Sequence, residues 1–236
     1  MNRWDFYKIN FSSNIEKNSH FLLISGSLNE IKILNELGYK NFSVTFHDTD
    51  SSNVLTEKGF NLNKNLFNSD LRNLKFKDNS FDYVVTNATL HHLDQPHKAI
   101  TEMYRVAKKG VLIIESNDSL LMRLACKFGF AEEFEVSSIN SDKKTGGLLD
   151  TGIPNYVYRW TEREIIKTLK SYDPENISNI KFTYGNDLTN VKSNKIFLKL
   201  LTPLIKLFFF IFKKQQNCIS IFIDLTKNKR RSFFTV

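Results

Sequence analysis

Two apolar runs set on either side of an amphipathic helical pattern constrain this chain more than any other feature. Phe81 to Thr86 and Val111 to Ile114 are β-rich and almost free of polar residues, the pattern of buried strands. Between them, Gln95 to Lys108 repeats its apolar residues at helical spacing, with Pro96 in the first turn, where proline fits a helix. Strand, helix, strand in that order predicts a parallel sheet with helices packed on its faces. The alternation begins earlier in the chain. Phe21 to Gly26 reads as a strand ending in a turn, Asn29 to Leu37 as a helix stopped at Gly38, and Asn41 to His47 as a second strand with Asp48-Thr49-Asp50 as its polar exit.

Downstream, Asp118 is expected to cap a helix through Leu120, Leu121, Leu124 and Phe128. Ser137 to Asn155 is polar and contains glycine, as loops and lids do, and Thr161-Glu162-Arg163-Glu164 has capping-box spacing. Ile177 to Tyr184 and Cys218 to Leu225 have strand character, the second returning to the sheet edge. The expectation is one domain over 1–236, with a substrate-side insertion at about 118–160 and a basic, apolar C-terminal segment at about 192–236.

Hydrophobic residues make up 41% of the chain, which supports a substantial core. The net charge is +8, yet Lys192–Val236 holds ten basic residues against one acid, so the body is close to neutral. A positive groove for nucleic acid is therefore not expected. Within the tail, Ile196 to Phe212 is nearly all apolar, with Lys199, Lys206 and Lys213 on one helical stripe, extended by Thr202. With two internal lysines and Pro203 it is a poor membrane span. Two readings stand: a helix on an anionic membrane surface, aided by Lys227, Lys229, Arg230 and Arg231, or one packed on the sheet or in a dimer interface. Cys126 and Cys218 lie far apart and no secretory signal opens the sequence, so a reducing cytoplasm is the default.

The central segment carries more than fold. Phe76-Lys77-Asp78-Asn79-Ser80-Phe81-Asp82 is followed by a strand, by Asn87-Ala88-Thr89-Leu90-His91-His92-Leu93, by the proline-started helix and by Gly110-Val111-Leu112. This resembles the class I, Rossmann-like S-adenosylmethionine-dependent methyltransferases, in their small-molecule branch. The resemblance implies a mostly parallel seven-stranded sheet with an antiparallel final strand and helices on both faces. It also implies S-adenosylmethionine as cofactor, with ligands at the carboxyl ends of the strands. Cofactor contacts are then expected from Ser25 and Gly26 in the first turn, Asp48 after the second strand, Asp70 with Leu71, and Asn87, which also sits near the methyl group and the acceptor. One departure stands out: the family turn reads G-x-G-x-G, whereas here only Gly26 is present and Leu28 takes the second glycine position.

Asp118 to Arg123 and Pro154 to Glu164 also look like segments of bacterial methyltransferases associated with cell-surface glycan or lipopolysaccharide synthesis. Tyr156, Tyr158, Arg159 and Trp160 suit a sugar or anionic substrate, or else form core aromatics beside a helix cap. His91 and His92 admit a structural turn role, favoured for His91, and a general base, left open for His92. Although His97 is near, no spacing matches a zinc pattern, so no metal is expected. Methyl transfer is chiefly a matter of alignment, so the lack of a catalytic triad does not argue against an enzyme. The competing readings are a non-catalytic binding or scaffold protein that keeps the fold, and a nicotinamide-dependent oxidoreductase, disfavoured because G-x-G-x-x-G is missing.

Overall fold

A computed structural model describes residues 3–46, 66–140, 144–176, 179–187, 204 and 207–227. Strands β1 (Phe21–Ile24), β2 (Phe42–Phe46), β3 (Leu66–Asn68), β4 (Phe81–Asn87), β5 (Ala107–Ser116), β8 (Ile180–Gly185) and β9 (Cys218–Asp224) form one seven-stranded sheet in the order β3-β2-β1-β4-β5-β9-β8. β1 pairs in parallel with β2 and β4, while β9 runs antiparallel to both β5 and β8. This is the expected fold class. One expectation needs correcting: Cys218 to Asp224 does not return to the sheet edge but inserts between β5 and β8. Its alternating buried residues, Ile219, Ile221 and Ile223, are what an interior position demands. Strands β6 (Phe134–Glu135) and β7 (Asn155–Tyr156) pair separately, beside the C-terminal ends of the parallel strands.

Strand periodicity divides the core into two layers. Leu22, Ile24, Val84, Val111 and Ile113 face α3 (Pro96–Val106) and α5 (Glu162–Tyr172). Phe21, Leu23, Val44, Val85, Leu112 and Ile114 face the other side. That side is covered by α2 (Leu28–Glu36) and by a helix the sequence reading missed, α1 (Arg3–Asn14). The N-terminal stretch looks polar, but Phe6, Tyr7 and Phe11 share one buried face, and Phe11 meets the rings of Phe21 and Tyr39 edge-on. Three aromatic residues within six positions anchor it.

Local signals explain most boundaries. Thr161 and Glu164 form the predicted capping box of α5. The helix α4 (Leu120–Lys127) is capped by Ser119, whose hydroxyl accepts from the Met122 N–H, not by Asp118. The Asp118 carboxylate instead pairs with Arg123 at 2.7 Å. β5 starts at Ala107, earlier than the glycine that was expected to open it. Gly110 serves packing: a Cβ there would lie 2.9 Å from the Ile223 carbonyl oxygen of β9.

Gly26 follows the same logic at the head of α2. A Cβ on it would come within 2.5 Å of Leu23 Cδ2 and 2.9 Å of Val44 Cγ1. The glycine lets α2 start hard against β1 and β2. Gly26→Ala is expected to lower stability by about 1–3 kcal/mol through overpacking, read from the urea midpoint; an unchanged midpoint would show that Leu23 and Val44 can make room.

Candidate active site

The chain runs outward from β1 to β2 to β3 and then returns to place β4 on the other side of β1. Such a reversal leaves a crevice at the carboxyl ends of the strands. A cavity of about 820 Å³ opens there. Ser25, Gly26, Phe46 and Asn87 line it from the strand ends, Arg3 and Trp4 from α1, and Ser138, Asn140, Gly147 and Asp150 from the insertion. Two backbone turns shape its floor: Ser25 (φ 50°) and Ala88 (φ 51°) both adopt left-handed conformations, sparsely populated for residues with a Cβ.

With two glycines of the family turn replaced, a capping box holds the loop. Ser27 caps α2: its hydroxyl accepts from the Glu30 N–H at 3.3 Å, and Glu30 Oε2 accepts from the Ser27 N–H at 2.9 Å and its O–H at 2.8 Å. Glu30 is 2% exposed and lines the cavity. Burial pushes its carboxyl up to about 7, against the opposing pull of the Ser27 bonds. Its other oxygen, Oε1, makes no full hydrogen bond among the described residues, although the Asn87 amide is near enough to lower the carboxyl, and the buried Asn87 Oδ1 has no partner there. Under-satisfied acceptors in one cavity wall fit a ligand that brings donors and positive charge. S-adenosylmethionine carries both an ammonium and a sulfonium, so these residues fit it. The Ser27-x-x-Glu30 spacing was legible in the sequence as a capping box, but Glu30's burial was not.

The turn after β4 is built on another buried carboxylate. Glu115 Oε1 accepts from the Thr89 and Leu90 N–H groups, each at 2.8 Å, and Oε2 lies 3.0 Å from His91 Nδ1. Burial opposes charge on His91, but Glu115 and Glu135 outweigh it and hold the imidazole at about 9. His91 is buried in this turn against Glu115 and is not among the lining residues of the cavity. His92 lines the cavity, with its pKa lowered by burial and by the neighbouring His91.

The remaining expected residues divide. Ser25, Gly26, Leu71 and Asn87 all line the cavity. Asp48 lies outside the described residues. Asp70 is not among the lining residues; its carboxylate accepts from Arg72 N, Nε and Nη2, and Arg72 continues to Asp94 at 2.8 Å. The cluster expected for the substrate does not line the cavity either. Trp160 is wholly buried in the core. Tyr158 donates its hydroxyl to Glu164 and stacks near Trp160, Arg159 donates to the Glu132 and Val157 carbonyls, and the exposed Tyr156 packs on Phe134. Leu28 lines the cavity while packing against the α2-side core.

Residues 25–114 match the methyltransferase domain family, a span that runs from the Ser25 turn into the last residues of β5. Comparison with curated proteins gives no match. Solved structures share the fold. A chain of the complex between the Haloferax volcanii Trm112 methyltransferase activator and a methyltransferase aligns with a TM-score of 0.61 at 10% identity, covering 94% of this chain and 90% of that one. An S-adenosylmethionine-dependent methyltransferase from Methanosarcina mazei gives 0.55 at 17% identity, covering 91% and 95%. One from Archaeoglobus fulgidus gives 0.54 at 13%, covering 93% of each. The matched segment is a methyltransferase domain, under half of the chain, and the fold around it is that of class I methyltransferases. S-adenosylmethionine is the cofactor that this domain and fold support.

A pH dependence follows from Glu30. Its carboxyl is raised from 4.5 to about 7 in the folded chain, so the folded state keeps a proton that the unfolded state releases. Stability from this group is complete below pH 4.5 and is lost as pH rises through about 7, amounting to about 3 kcal/mol at most. Urea unfolding across this window should show a decline in the wild type that Glu30→Gln lacks; parallel curves would remove the buried-carboxyl account.

Proposed function

We propose that the enzyme methylates an oxygen of a small molecule or of a cell-surface glycan or lipopolysaccharide intermediate. The cavity carries this reading. At about 820 Å³ it falls in the upper part of the range for small-molecule sites, and its outer wall, with Ser138, Asn140 and Asp150, is polar. A hydroxylated acceptor suits such a wall. Glu30 and Asn87 face the cationic donor, with Asp48 as the candidate for the ribose hydroxyls. Asn87 and His92, which both line the cavity, are the candidates for the acceptor's side of the donor. In the reaction the acceptor oxygen bonds to the methyl carbon as the carbon–sulfur bond breaks, and the sulfonium becomes a neutral thioether. The acceptor's proton needs a base, and a neutral His92 supplies one. The protein's remaining task is alignment and exclusion of water.

Calorimetric titration with S-adenosylmethionine separates this reading from a non-catalytic scaffold with a degraded donor site. Saturable 1:1 binding is expected, weakened about 10- to 100-fold in Asp48→Ala by loss of charge-assisted hydrogen bonds. No heat and no shift in melting temperature with donor would favour the scaffold.

We also infer that an anionic membrane surface brings the acceptor to the enzyme. Leu120 and Leu124 on α4 and Phe128 at its C-cap are exposed, and so are Phe210, Ile211 and Phe212. Hydrogen bonds from Ser119 and Leu121 to Gln215 join the two regions. A surface apolar to this degree marks an interaction site, and the exposed Lys127 and Lys213 suit anionic headgroups. Among the described residues no helix is long and apolar enough to cross a membrane. Sedimentation with phosphatidylglycerol vesicles at low salt should carry the protein down, and the pair Leu124→Asp with Phe128→Asp should release it; a wild type left in the supernatant would end this reading.

A further inference from the structure

His91 and His92, next to each other after β4, both turn toward Glu135 of β6. His91 Nδ1 lies 3.0 Å from Glu115 Oε2 and His92 Nδ1 lies 3.4 Å from the Gly147 carbonyl oxygen. A carboxylate and a carbonyl only accept, so each Nδ1 carries a proton. The Nε2 of neutral His92 keeps its lone pair, while the Nε2–H of His91 points at Glu135. Both Nε2 atoms face one place: His91 Nε2 is 3.3 Å and His92 Nε2 3.6 Å from Glu135 Oε2, with the rings 4.5 Å apart. The His91 Nε2–H and the Asn155 amide serve Glu135 Oε2 as the site stands, and a metal ion would take the place of the His91 proton while drawing on all three donor atoms.

We propose that His91 Nε2, His92 Nε2 and a Glu135 carboxylate oxygen bind one divalent transition-metal ion of the zinc type. The three donor atoms lie within 4.8 Å of one another. The two measured edges, 3.3 and 3.6 Å, bracket the edge of about 3.4 Å that bonds of about 2.1 Å make in a tetrahedron. Two imidazoles and one carboxylate favour zinc, iron or cobalt over magnesium or calcium, which prefer oxygen. The outer groups fit as well. Metal-bound histidines characteristically donate their other N–H to a carboxylate or a carbonyl, the roles that Glu115 and Gly147 already fill, and Asn155 Nδ2 steadies Glu135 at 3.3 Å. The spacing rules that predicted no metal failed to register this set because its third member arrives from β6, beyond α3, β5 and α4.

Three protein ligands leave a fourth position for water or an acceptor oxygen. If the acceptor is a hydroxyl, a role that rests on the function proposed above, the ion lowers its pKa. With the ion bound His92 Nε2 is a ligand, so the base role given to it above belongs to the metal-free chain, and the proton of the metal-bound hydroxyl passes to solvent. The ion would also join the turn after β4 to the insertion, whose Gly147 and Ser138 line the cavity.

The full chain, stripped with chelator, is titrated with cobalt(II) and followed by its visible absorption, and zinc affinity is then read by competition with a chromophoric chelator. The expected result is one equivalent of cobalt with the intense bands of a low-coordinate site, displaced by one equivalent of zinc. Glu135→Gln and His92→Ala, both at partly exposed positions, should weaken zinc at least about tenfold, with near-ultraviolet circular dichroism confirming their fold, while His97→Ala should not. No stoichiometric uptake, or uptake unchanged in both variants, overturns the proposal. A protein that takes up no ion but still binds S-adenosylmethionine overturns the metal site alone and leaves methyl transfer standing.

Discussion

The carboxylate of Glu115 stands at the end of β5 with no exposed side-chain surface, and the architecture of the active site radiates from it. A buried charge is tolerated only when paired and hydrogen-bonded, and Glu115 meets that demand with two backbone N–H groups and an imidazole from the turn after β4. In doing so it fixes the path of Thr89, Leu90 and His91. The adjoining Ala88 is held left-handed, its N–H bonded to the Ile114 carbonyl. Asn87 and His92, on either side of this clamped segment, are thereby set into the cavity wall. Removing one partner of such a pair costs about 3–5 kcal/mol, so the turn and the sheet are stabilised by one interaction.

A second buried carboxylate does comparable work across the cavity. The family turn relies on glycines so that backbone can lie close to the donor. Here a capping box stabilises the start of α2, and the glycine that remains, Gly26, is demanded by contact with Leu23 and Val44. Leu28 in a glycine's place is compatible with the cavity because its side chain also packs on the core below. The substitution therefore changes how the loop is held without closing the site. Glu30, ending this box, adds what glycines lack: an acidic group in the cavity wall.

How much of this was legible depended on whether a feature was local. Alternating apolar runs, Pro96 at a helix start and the Thr161–Glu164 box each act within a few residues, and the strands and α5 lie where they pointed. What sequence left dark is set by distant partners. α1 is held by Phe21 and Tyr39 rather than by its own amphipathicity. β9 enters the sheet interior because Gly110 gives it room, a fact about two segments over a hundred residues apart. Tyr158 and Trp160 read equally well as a sugar platform or as core, and only the hydrogen bond to Glu164 and the burial of the indole tell these apart. Glu135, the residue both histidines face, carries no local mark at all.

The division of labour between the halves of the chain follows from these constraints. The segment from Ser25 to Ile114 forms the floor of the cavity from rigid strand ends, braced by Glu30 and Glu115. The roof comes from the insertion, whose Gly146, Gly147, Leu149 and Asp150 all have positive φ and whose ties to the floor run through His91, His92 and Glu135. A donor common to a whole class needs the invariant geometry of a floor. An acceptor particular to one enzyme needs a surface free to vary without disturbing the sheet. The two meet at His91, held by the buried Glu115, and at His92 beside it, so this junction is positioned by the core, while the insertion's own loops are not.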